Sequence, residues 1–341
     1  MNNQFKNKLK NITPQSVLKI RRKFINSKQL KKLYSFDRNR HNKYAYDLNS
    51  DYTLNNLRSK ITFHYHSIEK GLSNPDLRLG FGKSAFEGLF FAMDKYVEKG
   101  FPTSDNRFQQ AISVISEYIN IHRINNYDTE WVTSKYNRYK KYFIEEFYEV
   151  GGSDSIKSKK IPKYKELNFK ELSTYRYSIR DFGEELIDDN DIYDAIQMAT
   201  KTPSVCNRQA YRVYQIKNTQ KLKKAYEMQG GLTTNGNNLQ QFLLVTCNRE
   251  FMNGPHERNQ TYIDGGMYLM SLIYALTYHQ IATCTLNTNF TLEKEKAMRE
   301  LLDVSYSEDL IAFVAIGSFA EETKYAKSPR DNWKDITVVI D

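Results

Sequence analysis

Tyr175-Arg176-Tyr177-Ser178-Ile179-Arg180-Asp181-Phe182 and, further along, Thr202-Pro203-Ser204-Val205-Cys206-Asn207-Arg208-Gln209 are the stretches on which the reading of this chain turns. The first places two guanidiniums and a hydroxyl within five residues. Arginine forks suit phosphate oxygens, and Ser178 adds a short donor. Taken alone, R-x-S-x-R reads equally well as a solvated basic turn. The residues downstream of it are more specific. Asp188, Asp189 and Asn190 are candidate N-caps. Ile192, Ala195, Ile196 and Ala199 then recur at the spacing of one buried helical face. Pro203 ends that helix, and the loop after it offers amide and hydroxyl groups able to read the edge of a heterocycle.

The order R-x-S-x-R-x-F, helix, P-S-x-x-N-x-Q resembles the nitroreductase-like flavoenzymes, over roughly residues 169–341. The resemblance implies an α+β fold: a mixed sheet flanked by helices, in a strand-exchanged homodimer. It implies FMN at the subunit interface, NAD(P)H as co-substrate, and a small organic acceptor such as a nitro compound, a quinone or a biosynthetic intermediate. By resemblance, Arg176 and Ser178 hold the phosphate with Tyr177 between them, and Arg180 sits near flavin N1 and O2. Pro203, Ser204 and Asn207 reach the flavin from the partner. Backbone amides near Thr285 and Leu286 approach N5 and O4, and Arg330 with Lys327 completes the phosphate clamp. The chain departs from the family where Gln-Pro-Trp is common: it has Gln209-Ala210-Tyr211, and Cys206 replaces a commoner small residue. No catalytic acid, base or nucleophile stands out, and no metal site is expected.

At 341 residues and 40% hydrophobic composition, the chain has enough apolar matter for two cores. No apolar run reaches the ~18 residues needed to span a bilayer, and the polar start lacks a signal-peptide core. The expectation is a soluble cytoplasmic protein. Cys206, Cys247 and Cys284 show no metal or redox spacing. The net charge of +10 is uneven. Residues 1–172 hold 32 Lys and Arg against 18 Asp and Glu, a surplus of 14; residues 173–341 hold 18 against 22, a deficit of 4.

The basic excess begins in residues 1–45, where Val17, Leu18, Ile20, Phe24 and Ile25 lie at helical spacing among lysines and arginines. Three readings are open: a helix docked on its own domain, peripheral contact with an anionic membrane, and phosphate tracking on nucleic acid, the least favoured. Residues 51–148 read as helical. Ser84-x-x-Glu87 is a capping box opening a helix from Ala85 to Lys99. Phe108 to Ile119 marks the next helix, and Trp131 to Tyr148 a third.

His66, Glu69 and Lys70 share a face at i, i+3 and i+4. With His64 they read as a metal site, as a hydrogen-bond cluster, or as a surface near the flavin. That stretch, with the turn Arg78 to Gly82, resembles the N-terminal extension of nitroreductase-like proteins associated with bacterial surface-polysaccharide synthesis.

Gly151 to Lys165 reads as a flexible charged linker, dividing a helical domain of residues 1–160 from an FMN-binding domain of residues 161–341. In the second half, Tyr211–Lys217, Gln241–Cys247, Thr283–Asn287, Leu310–Gly317 and Ile336–Ile340 read as strands. The last would add to a partner's sheet. Leu222–Gln229 and Thr291–Asp303 read as helices, as does Met267–Tyr278, which is apolar on nearly every face. Asp264 is a candidate cap for that helix. Thr233 to Asn238 is a candidate rim loop.

Overall fold

The computed structural model describes residues 14–45, 52–148, 150–232 and 238–340. Lys6, Lys8 and Lys10 of the basic head, and the rim loop apart from Asn238, lie outside them.

The first half is helical. Helix α1 (Gln15–Tyr44) is followed by α2 (Leu54–Leu72), α3 (Lys83–Glu98), α4 (Asn106–Ile124) and α5 (Glu130–Tyr136). Helices α2 to α5 bury one apolar cluster, with Leu57, Ile61, Phe86, Phe108 and Tyr118 inaccessible. Helix α2 opens on a capping box of Thr53 and Asn56, and α4 on Asp105, whose carboxylate accepts the Arg107 N–H.

Two local expectations are corrected here. Helix α3 starts from Gly82 in a left-handed conformation, with no side-chain cap, so Ser84 and Glu87 form no capping box. The third helix stops at Tyr136. Beyond it the chain forms short 3-10 turns, Lys140–Tyr142 and Glu145–Phe147. Those turns are fixed by Gln109, whose amide donates to Tyr142 O at 2.7 Å and accepts the Ile144 N–H at 3.0 Å.

Helix α1 contributes nothing to that core, since none of its described residues is buried. It docks on the second half instead of on its own domain. Arg258 pairs with Asp37 at 2.8 Å, and Gln29 Nε2 meets His256 Nε2 at 2.5 Å. No helix among the described residues is long and apolar enough to cross a membrane.

The second half is built on a sheet ordered β2 (Tyr211–Ile216), β3 (Gln241–Asn248), β5 (Glu308–Gly317), β4 (Ala282–Leu286). A mixed sheet is the expectation from sequence; every ladder among the described residues is antiparallel. Strand β3 is buried along its whole length, as a central strand covered on both faces must be. Its side chains alternate between two cores. Leu243 and Val245 pack with α7 (Asp189–Ala199) and α9 (Gln260–Tyr278). Phe242 and Leu244 pack beneath α8 (Thr219–Gln229) and α10 (Leu292–Leu302). Gly265 allows α9 its close approach, since a Cβ there would meet Ile311 Cγ1 at 2.6 Å.

The segment read as a flexible linker contains β1 (Ser153–Lys157), which pairs antiparallel with β6 (Glu322–Ala326). Alternation within a linker-like composition hid it. The C-terminal stretch read as a strand forms a helical turn, Trp333–Ile336, after which Thr337 to Ile340 pair with no strand among the described residues.

Candidate functional site

Residues 175–182 leave the short helix α6 (Phe169–Thr174) and run along the outer edge of β4. The Ile179 N–H donates to Thr283 O at 2.8 Å, and Phe182 bridges to Phe319. Asn238 Nδ2 donates to Phe182 O at 3.1 Å. Ile179 and Phe182 are sunk in the core, which leaves the polar residues between them at the surface.

Four cations, Arg176, Arg180, Arg330 and Lys70, gather around this stretch in two pairs. The Arg176 guanidinium is held below its ordinary pKa, first by desolvation and then by the neighbouring Arg330. On the other side of Ile179, Arg180 turns back on its own loop, donating to Ser178 O at 3.3 Å. Lys70 of α2 joins Arg180. Lys70 is an exposed residue, yet desolvation, and then Arg180, hold its pKa below the usual lysine value. Both cations oppose the effect of burial on the Cys284 thiol, which lies beneath them on β4 and has its pKa raised. Among the described residues, Arg176, Arg180, Arg330 and Lys70 form no ion pair, and the Ser178 hydroxyl makes no hydrogen bond. Clustered cations without a carboxylate are costly in a desolvated place. An anion would relieve that cost.

The structure brings only some of the residues named from sequence together. Arg176 and Arg330, far apart in the chain, come together. Lys327 goes elsewhere: its N–H donates to Gly152 O at 2.9 Å and its ammonium lies 3.5 Å from Glu117 of α4. Tyr177 stacks on Tyr325 with ring centroids 3.9 Å apart and belongs to the core packing. On β4, alternation of the antiparallel ladder points the Thr285 N–H to the same open edge as Thr283 O. By the same alternation the Leu286 N–H points into the ladder with β5.

The second stretch comes after α7 and takes a different form. Cys206, Asn207 and Gln209 all have positive φ, near 50°, a conformation that costs a non-glycine residue of order 1 kcal/mol or more. The loop is held from below. The Val205 N–H donates to Asp264 Oδ2 at 3.1 Å, and the Gln209 N–H to Ser204 Oγ at 2.9 Å. Arg208 pairs with Glu257 at 2.8 Å.

Asp264 is therefore no cap. It is buried in the second turn of α9, where Gln260 also donates to it, at 2.7 Å. A carboxylate beside Gly265-Gly266, in a helix otherwise apolar, was the available signal. The described structure brings no contact between this loop and the Arg176–Arg330 pair.

His66 and Glu69 form a hydrogen-bond cluster, and among the described residues no group of His, Cys, Asp and Glu is arranged to hold a metal ion.

Comparison with known proteins adds a family match. Residues 174–254 match the model of the nitroreductase family, a span that contains both motif stretches, β2 and β3. No curated protein matches the chain. Solved structures similar to about half of it include three nitroreductases. An FMN-dependent nitroreductase of Clostridium difficile R20291 is 16% identical, with 48% of this chain and 92% of that one covered and a TM-score of 0.40. A nitroreductase family protein of Clostridium difficile 630 is 21% identical (50% and 98% covered, TM-score 0.41). One from Clostridium novyi NT is 20% identical (45% and 85%, TM-score 0.40).

Proposed function

We propose that this chain is an FMN-dependent NAD(P)H oxidoreductase acting on a small organic acceptor. The observation that carries the reading is Arg176, partly buried and held near the charge of the exposed Arg330, with no acid paired to either among the described residues. Two guanidinium forks and a hydroxyl fit a phosphate dianion, which the FMN phosphate supplies. Bound FMN would supply hydride transfer; the chain binds it, aims it and tunes it. Arg180 and the Thr285 N–H offer a cation and a donor along one edge for the ring. The Pro203–Gln209 loop, strained and braced by Asp264, presents Ser204 and Asn207 from a second copy of the chain.

A homodimer is part of the proposal. Tyr262, Ile263, Met267 and Met270 of α9 are exposed in the single chain, as are Val338, Val339 and Ile340 of the tail. An apolar helix with such a face and an unpaired tail suit a self-complementary interface with strand exchange. A cytoplasmic setting and a role in surface-polysaccharide synthesis belong to the proposal as well.

The test is the visible spectrum of the purified full-length chain. A flavin spectrum, with FMN as the released cofactor, is expected. Arg176→Ala should weaken FMN binding on the order of a hundredfold, the worth of a charge-assisted pair of hydrogen bonds. A colourless protein that takes up no FMN would overturn the reading.

A second reading concerns α1, where Ile20 and Phe24 are each about 70% exposed among ten lysines and arginines. That surface suits an anionic membrane. Sedimentation with anionic vesicles, lost on removing residues 1–45, tests it.

A further inference from the structure

Helix α2 belongs to the N-terminal helical unit, outside the segment that matches the nitroreductase family. Yet it packs against the β1–β6 ribbon, and its last two turns carry His66 and Lys70. His66 Nδ1 lies 3.1 Å from Glu69 Oε2 and 3.3 Å from the Ser328 hydroxyl. Glu69 is fully buried, and its second oxygen accepts the Gly152 N–H at 3.0 Å. Ser328 in turn accepts from Arg330 through its carbonyl. Gly152, Glu69, His66, Ser328 and Arg330 are thus joined hydrogen bond to hydrogen bond. Ser328 has φ 47°, a left-handed conformation that serine adopts when its surroundings hold it. His66 and Arg330 are the groups that do so.

The orientation of the imidazole is set by its partners. A buried carboxylate only accepts, so the Nδ1 proton faces Glu69. Nε2 makes no hydrogen bond among the described residues, and the side chain is 33% exposed. One helical turn further, about 6 Å along the axis, Lys70 lies beside Arg180 above Cys284. One face of α2 therefore places an imidazole on Ser328, which Arg330 also contacts, and an ammonium within range of the Arg180 charge.

We propose that α2 is a wall of the cofactor site, with His66 as the imidazolium, donating from Nδ1 to Glu69 and from Nε2 at the phosphate end, and Lys70 standing at the flavin pyrimidine end. The assignment rests on the FMN reading above. His66, held by Glu69, adds a donor that only a phosphorylated flavin can use. Lys70 adds a second cation where reduction leaves negative charge, so it favours the reduced state over the oxidised one. The N-terminal unit then supplies part of the active centre.

The test titrates the full-length apoprotein with FMN and with riboflavin, which lacks the phosphate, and measures the midpoint potential of bound FMN by spectroelectrochemistry. His66→Gln keeps a donor for Glu69. It should weaken FMN on the order of tenfold and leave riboflavin unchanged. Lys70→Met should hold oxidised FMN with near wild-type affinity but lose about tenfold in its preference for the reduced flavin, about 30 mV for a two-electron couple. Lys70→Arg should restore the potential. If His66→Gln fails to fold, Lys70→Met with its rescue carries the test.

A wild-type chain that binds neither flavin overturns the FMN reading itself. A wild type that binds FMN, with the FMN-to-riboflavin ratio and the potential unmoved in both variants, overturns the wall. Equal loss of FMN and riboflavin in His66→Gln also overturns the phosphate assignment, because it marks a purely structural role.

Discussion

The two halves of the molecule answer their buried polar groups alike and differ in a group of partly exposed cations that only the sheet half gathers. In the helical half each is answered from within. Gln109 satisfies Thr103 O, Tyr142 O and the Ile144 N–H. His122 places Nδ1 at Tyr118 O and accepts the Gly80 N–H at Nε2. Tyr65 donates to Gln110 at 2.8 Å. In the sheet half, carboxylates are answered as thoroughly: Glu308, almost fully buried, takes Arg212, Tyr214 and Thr246. The four cations are not. A fold that can surround Glu308 with three donors yet leaves Arg176, Arg330, Arg180 and Lys70 without an acid is what supports the proposal that an anion binds there.

The likeness breaks most easily at Gln109. Gln109→Leu strands two carbonyls and one N–H inside the helical half and should cost about 3 kcal/mol or more. Urea unfolding of the variant measures it; a cost under about 1 kcal/mol would mean that water or rearrangement answers those groups instead.

A smaller effect is readable by pH. Burial lowers the His122 pKa from the ordinary histidine value, so the unfolded chain takes up that proton first. The stability due to neutral His122 is full above about pH 6.5 and is lost as pH falls through the window between that value and the lowered one. Melting temperatures measured across that window should fall with acid in the wild type and fall less steeply in His122→Gln. Equal slopes would remove His122 from the account.

The smallest effect has the opposite sign. Arg176→Ala removes a desolvated cation from beside Arg330, so the apoprotein should gain up to about 1 kcal/mol while FMN binding collapses. Calorimetry of the cofactor-free chain checks it. An apoprotein destabilised by more than about 1 kcal/mol would show that Arg176 supports the fold and not the ligand.

Much of the architecture was legible because local periodicity carries it. The buried face of α7, its Asp188 cap and the four strands of the main sheet are products of alternation and capping chemistry. Most of the breaks came where a distant partner overrode a local signal. One break was local: Ser84 and Glu87 look like a capping box, yet Gly82 is the N-cap and the helix already begins at Lys83. Residues 153–157 look like a linker until β6 pairs with them. Asp264 looks like a cap until the Val205 N–H reaches it from another segment.

The site divides in the same way. Sequence by itself supplied candidates, Arg176 and Ser178 for a phosphate, with Arg330 for the phosphate and Arg180 for the ring edge added by the family resemblance, because those side chains are chemically suited wherever they lie. Only the tertiary structure decided which of them meet. It brought Arg330 to Arg176, sent Lys327 to Glu117, and set His66 and Lys70 of the helical half beside Ser328 and Arg180. The reason is range: hydrogen-bonding chemistry and periodicity are properties of a few neighbouring residues, whereas the field inside a cleft is a sum over groups that meet only when the whole chain has folded.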